Sequence, residues 1–90
     1  MKIVAVCGMG IGTSVILKMN TEKALIRLGW DADVEVADIG TARGAAASAD
    51  LVVTSQELAD ELSGLRCPVI VIQNFMKVDE IVEKLSAARS

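Results

Sequence analysis

The sequence predicts an α/β fold in which four parallel strands form one sheet with helices on both of its faces. Short runs of β-branched residues alternate along the 90-residue chain with stretches whose apolar residues recur at helical spacing. This alternation is typical of right-handed strand–helix–strand crossovers, which place helices on both faces of a parallel sheet. We therefore expect one domain over residues 1–90, with the strand order 2-1-3-4 and ligands bound at the carboxyl ends of strands 1 and 3.

The first strand and the first helix frame the segment of greatest interest. Ile3–Val6 is apolar throughout, as expected of a strand that is covered on both faces. Thr13–Leu28 carries apolar residues on one side and charged residues elsewhere, which predicts a helix, and Gly29 is placed to end it. Residues 7–12 therefore connect the carboxyl end of strand 1 to a helix N-terminus.

The rest of the chain repeats the alternation of strand and helix. It predicts strands over Asp33–Ala37, Leu51–Thr54 and Val69–Ile72, and helices over Thr41–Ser48, Gln56–Ser63 and Val78–Ala88. The polar character of the second strand favours a position at the edge of the sheet. Thr54 followed by Glu57 fits a capping box that opens the third helix.

Composition and charge exclude several classes of function. The net charge of −3, with Lys and Arg scattered along the chain, argues against nucleic-acid binding. The absence of histidine excludes Cys–His and Ser–His nucleophile pairs within the chain, and it excludes histidine-ligated zinc. The two cysteines are 60 residues apart and form no CxxC site. We therefore predict no metal and no cofactor.

The apolar runs are short. The longest, such as Ile3–Cys7, have five residues, whereas a membrane-spanning helix needs roughly 20. The N-terminus passes from Met-Lys directly into a strand pattern, without an apolar signal region or a cleavage site. We therefore expect a soluble protein that stays in the cytoplasm.

The segment after strand 1 is the strongest candidate site. Three glycines alternate with other residues there before the helix begins. Glycine permits positive φ and close backbone approach, so such a loop can turn its N–H groups inward as an anion nest. The helix N-terminus adds unpaired donors, and the whole arrangement favours a phosphoryl group of roughly −2 charge. The predicted phosphate-binding loop consists of Gly8, Met9, Gly10, Ile11, Gly12, Thr13 and Ser14.

Cys7 stands at the start of this loop and is the predicted nucleophile. A free thiol has a pKa of about 8.5, and a helix N-terminus can lower that pKa to between about 3.5 and 7.5. The thiolate is then present at neutral pH and is directed at whatever anion the loop holds. In the alternative interpretation, Cys7 is a small core residue and the glycines only form a tight turn. Position and chemistry together favour the nucleophile.

Known phosphate-binding motifs fit this loop only in part. A dinucleotide fingerprint counted from Gly8 has Thr13 in place of its last glycine, and Lys18 comes too late for a Walker A loop. The cysteine phosphatase loop, Cys-x5-Arg-[Ser/Thr], matches in spacing, and low-molecular-weight phosphatases share the predicted Rossmann-like topology. Position 13 is Thr, however, and not the arginine that clamps the phosphoryl oxygens. A loop of this kind suits a carrier that holds phosphate on cysteine without hydrolysing it.

The segment Val4–Ser14, with its continuation Ile16–Met19, resembles the B components (IIB) of sugar phosphotransferase systems, in particular the ascorbate-type members. Val71–Met76 is similar to the segment that follows the last strand of such proteins. Thr13 stands where many ascorbate-type members have Ser, which keeps the hydroxyl. The resemblance identifies residues 1–90 as one IIB domain.

The resemblance implies a protein-phosphohistidine–sugar phosphotransferase with a phosphocysteine intermediate. Cys7 would receive phosphate from a phosphohistidine of the A component (IIA). It would pass the phosphate to a sugar, L-ascorbate by this likeness, held in the membrane-embedded C component (IIC). The protein would associate with the inner face of the membrane through IIC.

Residues outside the loop have weaker signals. Cys67 precedes strand 4, at the amino end of the sheet, which is too far from Cys7 for a disulfide and predicts a structural role. Trp30, just after a helix end, is expected to pack. Lys18, Thr54 and Ser55 are placed near the loop, where they either contact phosphate or a partner or serve only their own helices.

Asn74, Phe75 and Met76 form an apolar patch with one amide after strand 4. The patch suits docking to a partner, and burial of Phe75 and Met76 under the last helix is an equal interpretation.

Two other functions stay open from the sequence. One is a low-molecular-weight cysteine phosphatase or thiol reductase, which would hydrolyse an aryl phosphate where a carrier would not. The other is a non-catalytic anion-binding module. A receiver-like module would need paired acids after strand 1 and an Asp after strand 3, where this chain has Cys7 and Thr54-Ser55.

Overall fold

The β-branched segments of the chain pair in parallel. The computed structural model describes residues 1–6, 11–38, 40–62, 64 and 67–89, with only the helical backbone at 11–14, 57 and 89. Within these residues one sheet of four parallel strands has the order β2-β1-β3-β4, which confirms the predicted order. The strands are β1 (Lys2–Val6), β2 (Asp33–Ala37), β3 (Leu51–Thr54) and β4 (Val69–Val71).

A helix follows each strand. The helices are α1 (Ile11–Leu28), α2 (Ala42–Ala46), α3 (Gln56–Ala59), which continues as a 3₁₀ turn over Asp60–Leu62, and α4 (Val78–Arg89). No helix in the described parts of the chain is both long enough and apolar enough to span a membrane.

The side chains of β1 alternate between two cores. Ile3 and Ala5 face α1 and α4, whereas Val4 and Val6 face α2 and the 3₁₀ turn. All four side chains are fully buried, and burying an Ile or Val side chain contributes about 1.5–3 kcal/mol. Helices therefore cover both faces of the sheet, as predicted. The central strand, whose carboxyl end leads into the predicted loop, is held from both sides.

The predicted capping box at Thr54 and Glu57 is wrong. α3 begins at Gln56 with Ser55 as its N-cap, and the Ser55 side chain makes no capping hydrogen bond to the described part of the helix. Thr54 belongs to β3, where its buried Oγ1 donates a hydrogen bond to the carbonyl oxygen of Val6 at 3.1 Å. The hydroxyl is used across the sheet and not at the helix end.

Two helices are shorter than predicted. The third is α-helical only to Ala59 and ends as the 3₁₀ turn at Leu62, while Ser63 lies outside the described residues. The second covers Ala42–Ala46 because Ser48, in the turn that follows, donates its N–H to the carbonyl of Ala45. In that turn the bond spans three residues, so the α-helical pattern ends.

Gly29 ends α1, as predicted. Its φ is +70°. Its N–H donates to the carbonyl of Ile26 at 3.1 Å, and the N–H of Trp30 donates to the carbonyl of Leu25 at 3.0 Å. These two bonds form a Schellman motif. Trp30 is half-buried and packs against the α1/α4 core, which confirms its packing role.

Candidate functional site

The carboxyl edge of the sheet brings the ends of β1 and β3 next to each other. The register pairs Val6 with Thr54 in the last row of the two strands, and α1 begins at Ile11. Val6 and Ile11 therefore flank Cys7 and the first part of the predicted phosphate-binding segment. The four residues between them lie outside the described part of the chain; they are Cys7, Gly8, Met9 and Gly10.

The second half of the predicted loop forms the first turn of α1. Ile11, Gly12, Thr13 and Ser14 are helical in their backbone, so the helix begins two residues earlier than predicted. The first four N–H groups of a helix lack intrahelical partners and lie at the positive end of its dipole. The first turn of this 18-residue helix therefore presents hydrogen-bond donors next to the segment that contains Cys7.

Thr54 is a fully buried polar residue at this edge. Its hydroxyl donates to the carbonyl oxygen of Val6, the residue before Cys7, at 3.1 Å. Its own carbonyl oxygen accepts a hydrogen bond from the N–H of Ile72, just after β4, at 2.8 Å. Thr54 thus ties the ends of three strands together. It lies beside the end of β1, and its predicted position beside the Cys7 loop stays a prediction because residues 7–10 lie outside the described part of the chain.

Ser55 and Lys18 are both half-buried. Ser55 follows β3 as the N-cap of α3, and Lys18 lies in the second turn of α1. Their contact with phosphate or with a partner stays a prediction.

The loop after β4 is held by the carboxylate of Glu80 in the first turn of α4. The backbone N–H groups of Gln73 and Asn74 donate to the two Glu80 carboxylate oxygens at 2.8 and 3.1 Å. Lys84 Nζ lies 2.9 Å from the same carboxylate and donates to the carbonyl of Val71 at 2.7 Å. Partial burial raises the pKa of Glu80, but the hydrogen bonds from Gln73, Lys84 and Asn74 lower it by more. The pKa of Glu80 therefore lies below its ordinary value of 4.5.

The same loop is joined to α1 through Asn20. The Nδ2 of this nearly buried residue donates to the carbonyl oxygen of Phe75 at 2.5 Å. Phe75 is half-buried and packs against the α1/α4 core, whereas the side chain of Met76 is 70% exposed. Asn74 Oδ1 accepts the N–H of Met76 at 2.9 Å and so shapes the turn. Phe75 packs, Met76 is open to solvent, and docking by this loop stays a prediction.

The contacts of Asn20 and Glu80 with this loop were not predicted from the sequence. Asn20 carries a usable signal, because it occupies a core-facing position of α1 between Leu17 and Ala24, and a buried amide needs a partner. Glu80 carries no sequence signal for this contact. An acidic residue in the first turn of a helix is already explained by its favourable interaction with the helix dipole.

Cys67 lies at the amino-terminal ends of the strands, opposite the carboxyl ends where β1 leads into Cys7. The registers of β1, β3 and β4 place it level with Lys2, four rows or about 13 Å from Val6. Its thiol is free and half-buried, with Sγ 3.9 Å from the carbonyl oxygen of Ala46. The predicted position of Cys67 at the amino end of the sheet is confirmed. Its side chain packs against the core that contains Val4 and Val6, as a structural role requires.

The similarity of this chain to known proteins is not confined to the first loop. Residues 2–87 match a family model described as "PTS system, Lactose/Cellobiose specific IIB subunit". That range runs from the start of β1 nearly to the end of α4.

Named relatives are also similar to this chain. An ascorbate-specific PTS system EIIB component of Mycoplasma pneumoniae is 35% identical over 85 residues, which cover 93% of this chain and 90% of that protein. Proteins of the same name from Salmonella typhimurium and Escherichia coli O157:H7 are 34% and 32% identical over 62 residues, which cover 69% of this chain and 61% of each relative. The similarity to the mycoplasmal protein spans nearly the whole of both chains.

Proposed function

The chain belongs to the family described as the lactose/cellobiose-specific IIB subunit of phosphotransferase systems, and we propose that it carries the phosphoryl group of its system on Cys7. One observation supports the assignment of the phosphoryl group to Cys7 in particular. Cys7 directly follows Val6 at the carboxyl edge of the sheet, and only three more residues separate it from the first turn of α1. The chain's nucleophile is then next to the helix donors that favour an anion.

The proposed phosphate site consists of Cys7 and the segment that follows it. The backbone N–H groups of the glycine-rich loop and of the first helical turn bind the phosphoryl oxygens. Thr13 and Ser14 add hydroxyl donors. These same donors stabilise the Cys7 thiolate and lower the pKa of its thiol. The residues assigned to phosphate binding are Gly8, Met9, Gly10, Ile11, Gly12, Thr13 and Ser14.

The proposed chemistry consists of two displacements at phosphorus. In the first, the Cys7 thiolate attacks the phosphorus of a phosphohistidine on IIA, the P–S bond forms, the P–N bond breaks, and the imidazole leaves with the electron pair. In the second, a sugar hydroxyl attacks the phosphocysteine, the P–O bond forms, the P–S bond breaks, and the thiolate is regenerated. The hydroxyl proton is lost to a base or to solvent. The loop donors neutralise charge on the phosphoryl oxygens in both steps.

The proposed partners follow from these two steps. IIA supplies the phosphohistidine, because this chain contains no histidine of its own. Membrane-embedded IIC holds the sugar, so the protein works in the cytoplasm and reaches the inner face of the membrane through IIC.

We assign L-ascorbate as the sugar. The family description names lactose and cellobiose, whereas the named relatives, among them the one that covers 93% of this chain, are ascorbate-specific. The residues of the segment from Cys7 to Met19 and of Asn74–Met76 also favour the ascorbate type. Since IIC binds the sugar, this assignment is made by likeness and not by any contact of this chain with the sugar.

A phosphorylation assay tests the assignment of Cys7. The protein is mixed with phosphoenolpyruvate, the general phosphotransferase proteins and the IIA of an ascorbate-type system, and its intact mass is measured. We expect one added phosphoryl group, mapped to the Cys7 peptide under mild conditions. Cys7→Ser should abolish this label, and the matched variant Cys67→Ser should keep it, because Cys67 lies at the far edge of the sheet. Wild-type labelling of Cys7→Ser would contradict the proposal.

Two further arms separate the alternatives. Prompt hydrolysis of an aryl phosphate by the isolated protein would indicate a cysteine phosphatase, and the carrier should show essentially none. Membranes that contain the ascorbate-type IIC should discharge phosphorylated Cys7 when L-ascorbate is added. Discharge by cellobiose or galactitol with their own IIC, and not by ascorbate, would support the phosphoryl-carrier function but contradict the assignment of L-ascorbate as the sugar.

A further inference from the structure

The first half of α1 and the loop after β4 expose large apolar side chains. Val15, Ile16 and Met19 are 46%, 39% and 51% exposed, and Met76 is 70% exposed. We propose that these four residues form a docking face for the phosphorylated IIA, which it binds while the phosphoryl group passes to Cys7. The inference rests on the proposed function and names the surface that its first step uses.

The four side chains belong to two elements that a hydrogen bond joins. In α1, Met19 lies one helical turn after Val15, and Ile16 lies one turn before Asn20. Asn20 Nδ2 donates to the carbonyl oxygen of Phe75, the residue before the exposed methionine of the loop, at 2.5 Å. Single exposed apolar residues are usual on a protein surface, whereas a group of them marks an interaction site.

The backbone on both sides of Met76 is held by hydrogen bonds. The N–H of Met76 donates to Oδ1 of Asn74 at 2.9 Å, and the N–H of Lys77 donates to the carbonyl of Asn74 at 3.1 Å. The N–H of Asn74 donates in turn to the Glu80 carboxylate at 3.1 Å. A surface that is already ordered loses less conformational entropy on binding, and a methionine side chain adapts to the shape of a partner. The loop therefore presents an adaptable side chain on a fixed backbone.

The size of the docking face favours a transient partner over a second copy of this chain. Four side chains fall far short of the roughly 20–30 residues that each side contributes to a stable interface. In the proposed cycle the protein releases its phosphoryl donor before it meets the acceptor. A small apolar face permits that release.

Basic residues surround the docking face, although the chain is acidic overall. α1 and residues 73–77 contain four of the nine basic residues of the chain but only one of its twelve acidic residues. One of the four, Arg27, forms an ion pair with Asp79 just outside these segments. The other three still outnumber the single acidic residue; they are Lys18, Lys23 and Lys77.

This positive rim distinguishes between the two proposed partners. The phosphohistidine of IIA brings the negative charge of its phosphoryl group to the contact. The cytoplasmic loops of membrane proteins carry an excess of Lys and Arg, so those of IIC would be repelled by the rim. Complementary charge speeds association, and like charge disfavours the wrong partner. The rim therefore fits a phosphorylated IIA with acidic side chains around an apolar centre.

Substitutions at Met76 separate the loss of apolar contact from the effect of charge. The rate of Cys7 phosphorylation is measured against the concentration of the phosphorylated IIA of an ascorbate-type system. We expect Met76→Glu to raise KM about tenfold, because it removes an apolar contact and adds a charge like that of the partner. Met76→Lys should raise KM about threefold or less, because its charge offsets part of the loss. Met76→Leu should stay within about twofold of the wild type. The kcat should change little, since the reacting groups are the same.

Three controls accompany these variants. In about 1 M salt, where the Debye length is about 3 Å, the KM values of Met76→Glu and Met76→Lys should approach each other. Membranes that contain the ascorbate-type IIC should discharge phosphorylated Cys7 to L-ascorbate at the wild-type rate in every variant. Ser86→Glu adds the same charge at an exposed position in the second half of α4 and should keep the wild-type KM.

A wild-type KM in Met76→Glu, an equal increase in Met76→Glu and Met76→Lys at low salt, or the same increase in Ser86→Glu would overturn the inference. Slower discharge to IIC with normal uptake from IIA would assign the face to IIC instead. A wild-type dimer that Met76→Glu dissociates would assign it to a second copy. Met19→Glu and Met19→Lys repeat the comparison on α1, and they replace the Met76 pair if circular dichroism shows that it is unfolded. A wild type that takes no phosphate on Cys7 would overturn the proposed function itself.

Discussion

At the scale of single residues, Gly29 and Gly44 are both exposed glycines, but their backbones differ. Gly29 has a φ of +70° and donates one of the two hydrogen bonds that end α1, the other being donated by Trp30, whereas Gly44 lies inside α2. A Cβ would meet no atom within 4 Å at either position. The two positions therefore isolate the effect of backbone conformation from that of crowding.

We predict opposite effects for alanine at these two positions. Gly29→Ala should lower the free energy of unfolding by about 1 kcal/mol, because an L-residue is strained at this positive φ. Gly44→Ala should raise it by about 0.5–1 kcal/mol, because alanine is the better helix former. Urea unfolding followed by circular dichroism measures both. A loss of equal size in the two variants would contradict the assigned role of φ.

At the scale of elements, Glu80 holds the loop after β4 against α4 through three donors. The hydrogen bonds from Gln73 and Asn74 and the contact with Lys84 keep the pKa of Glu80 below 4.5, although partial burial acts against them. A lowered pKa in the folded state means that Glu80 stabilises the protein at pH values above its unfolded pKa. That contribution is lost as the pH falls through its folded pKa.

We predict that Glu80→Gln lowers the free energy of unfolding by about 1 kcal/mol at pH 7, as expected for a charged group with partly exposed hydrogen bonds. The difference from the wild type should shrink as the pH falls below 4.5, where the wild-type carboxylate also becomes protonated. Glu83→Gln, an exposed position on the same helix, serves as the control and should change little. A Glu80→Gln deficit that is constant from pH 7 to about 3 would contradict an electrostatic origin.

The elements also show which features a sequence predicts well. The strand order and both helix-covered faces follow from local periodicity, because alternating strands and helices have few ways to pack. The prediction of a capping box at Thr54 was wrong because the hydroxyl of Thr54 bonds to the carbonyl of Val6, 48 residues away in sequence. The Asn20–Phe75 bond spans 55 residues. Contacts over such separations are set by the packed fold and leave no local pattern.

At the scale of the whole molecule, β1 is the interior strand that precedes Cys7. It pairs with β2 on one side and β3 on the other, and its residues Ile3–Val6 have no exposed surface. The edge strands are less protected: β2 has exposed side chains at three of its five positions, and β4 has only three residues.

This placement has a consequence for hydrogen exchange. Amides of β1 should exchange with deuterium only when the entire protein unfolds, whereas those of β2 and β4 should exchange through smaller openings. Deuterium uptake measured by mass spectrometry on peptides from each strand checks the order, and faster uptake in β1 than in β2 would contradict it. In the proposed function Cys7 meets two partners in turn, and it directly follows the strand that we expect to exchange most slowly. Local opening of the edge strands β2 and β4 should therefore leave the strand that precedes Cys7 in place.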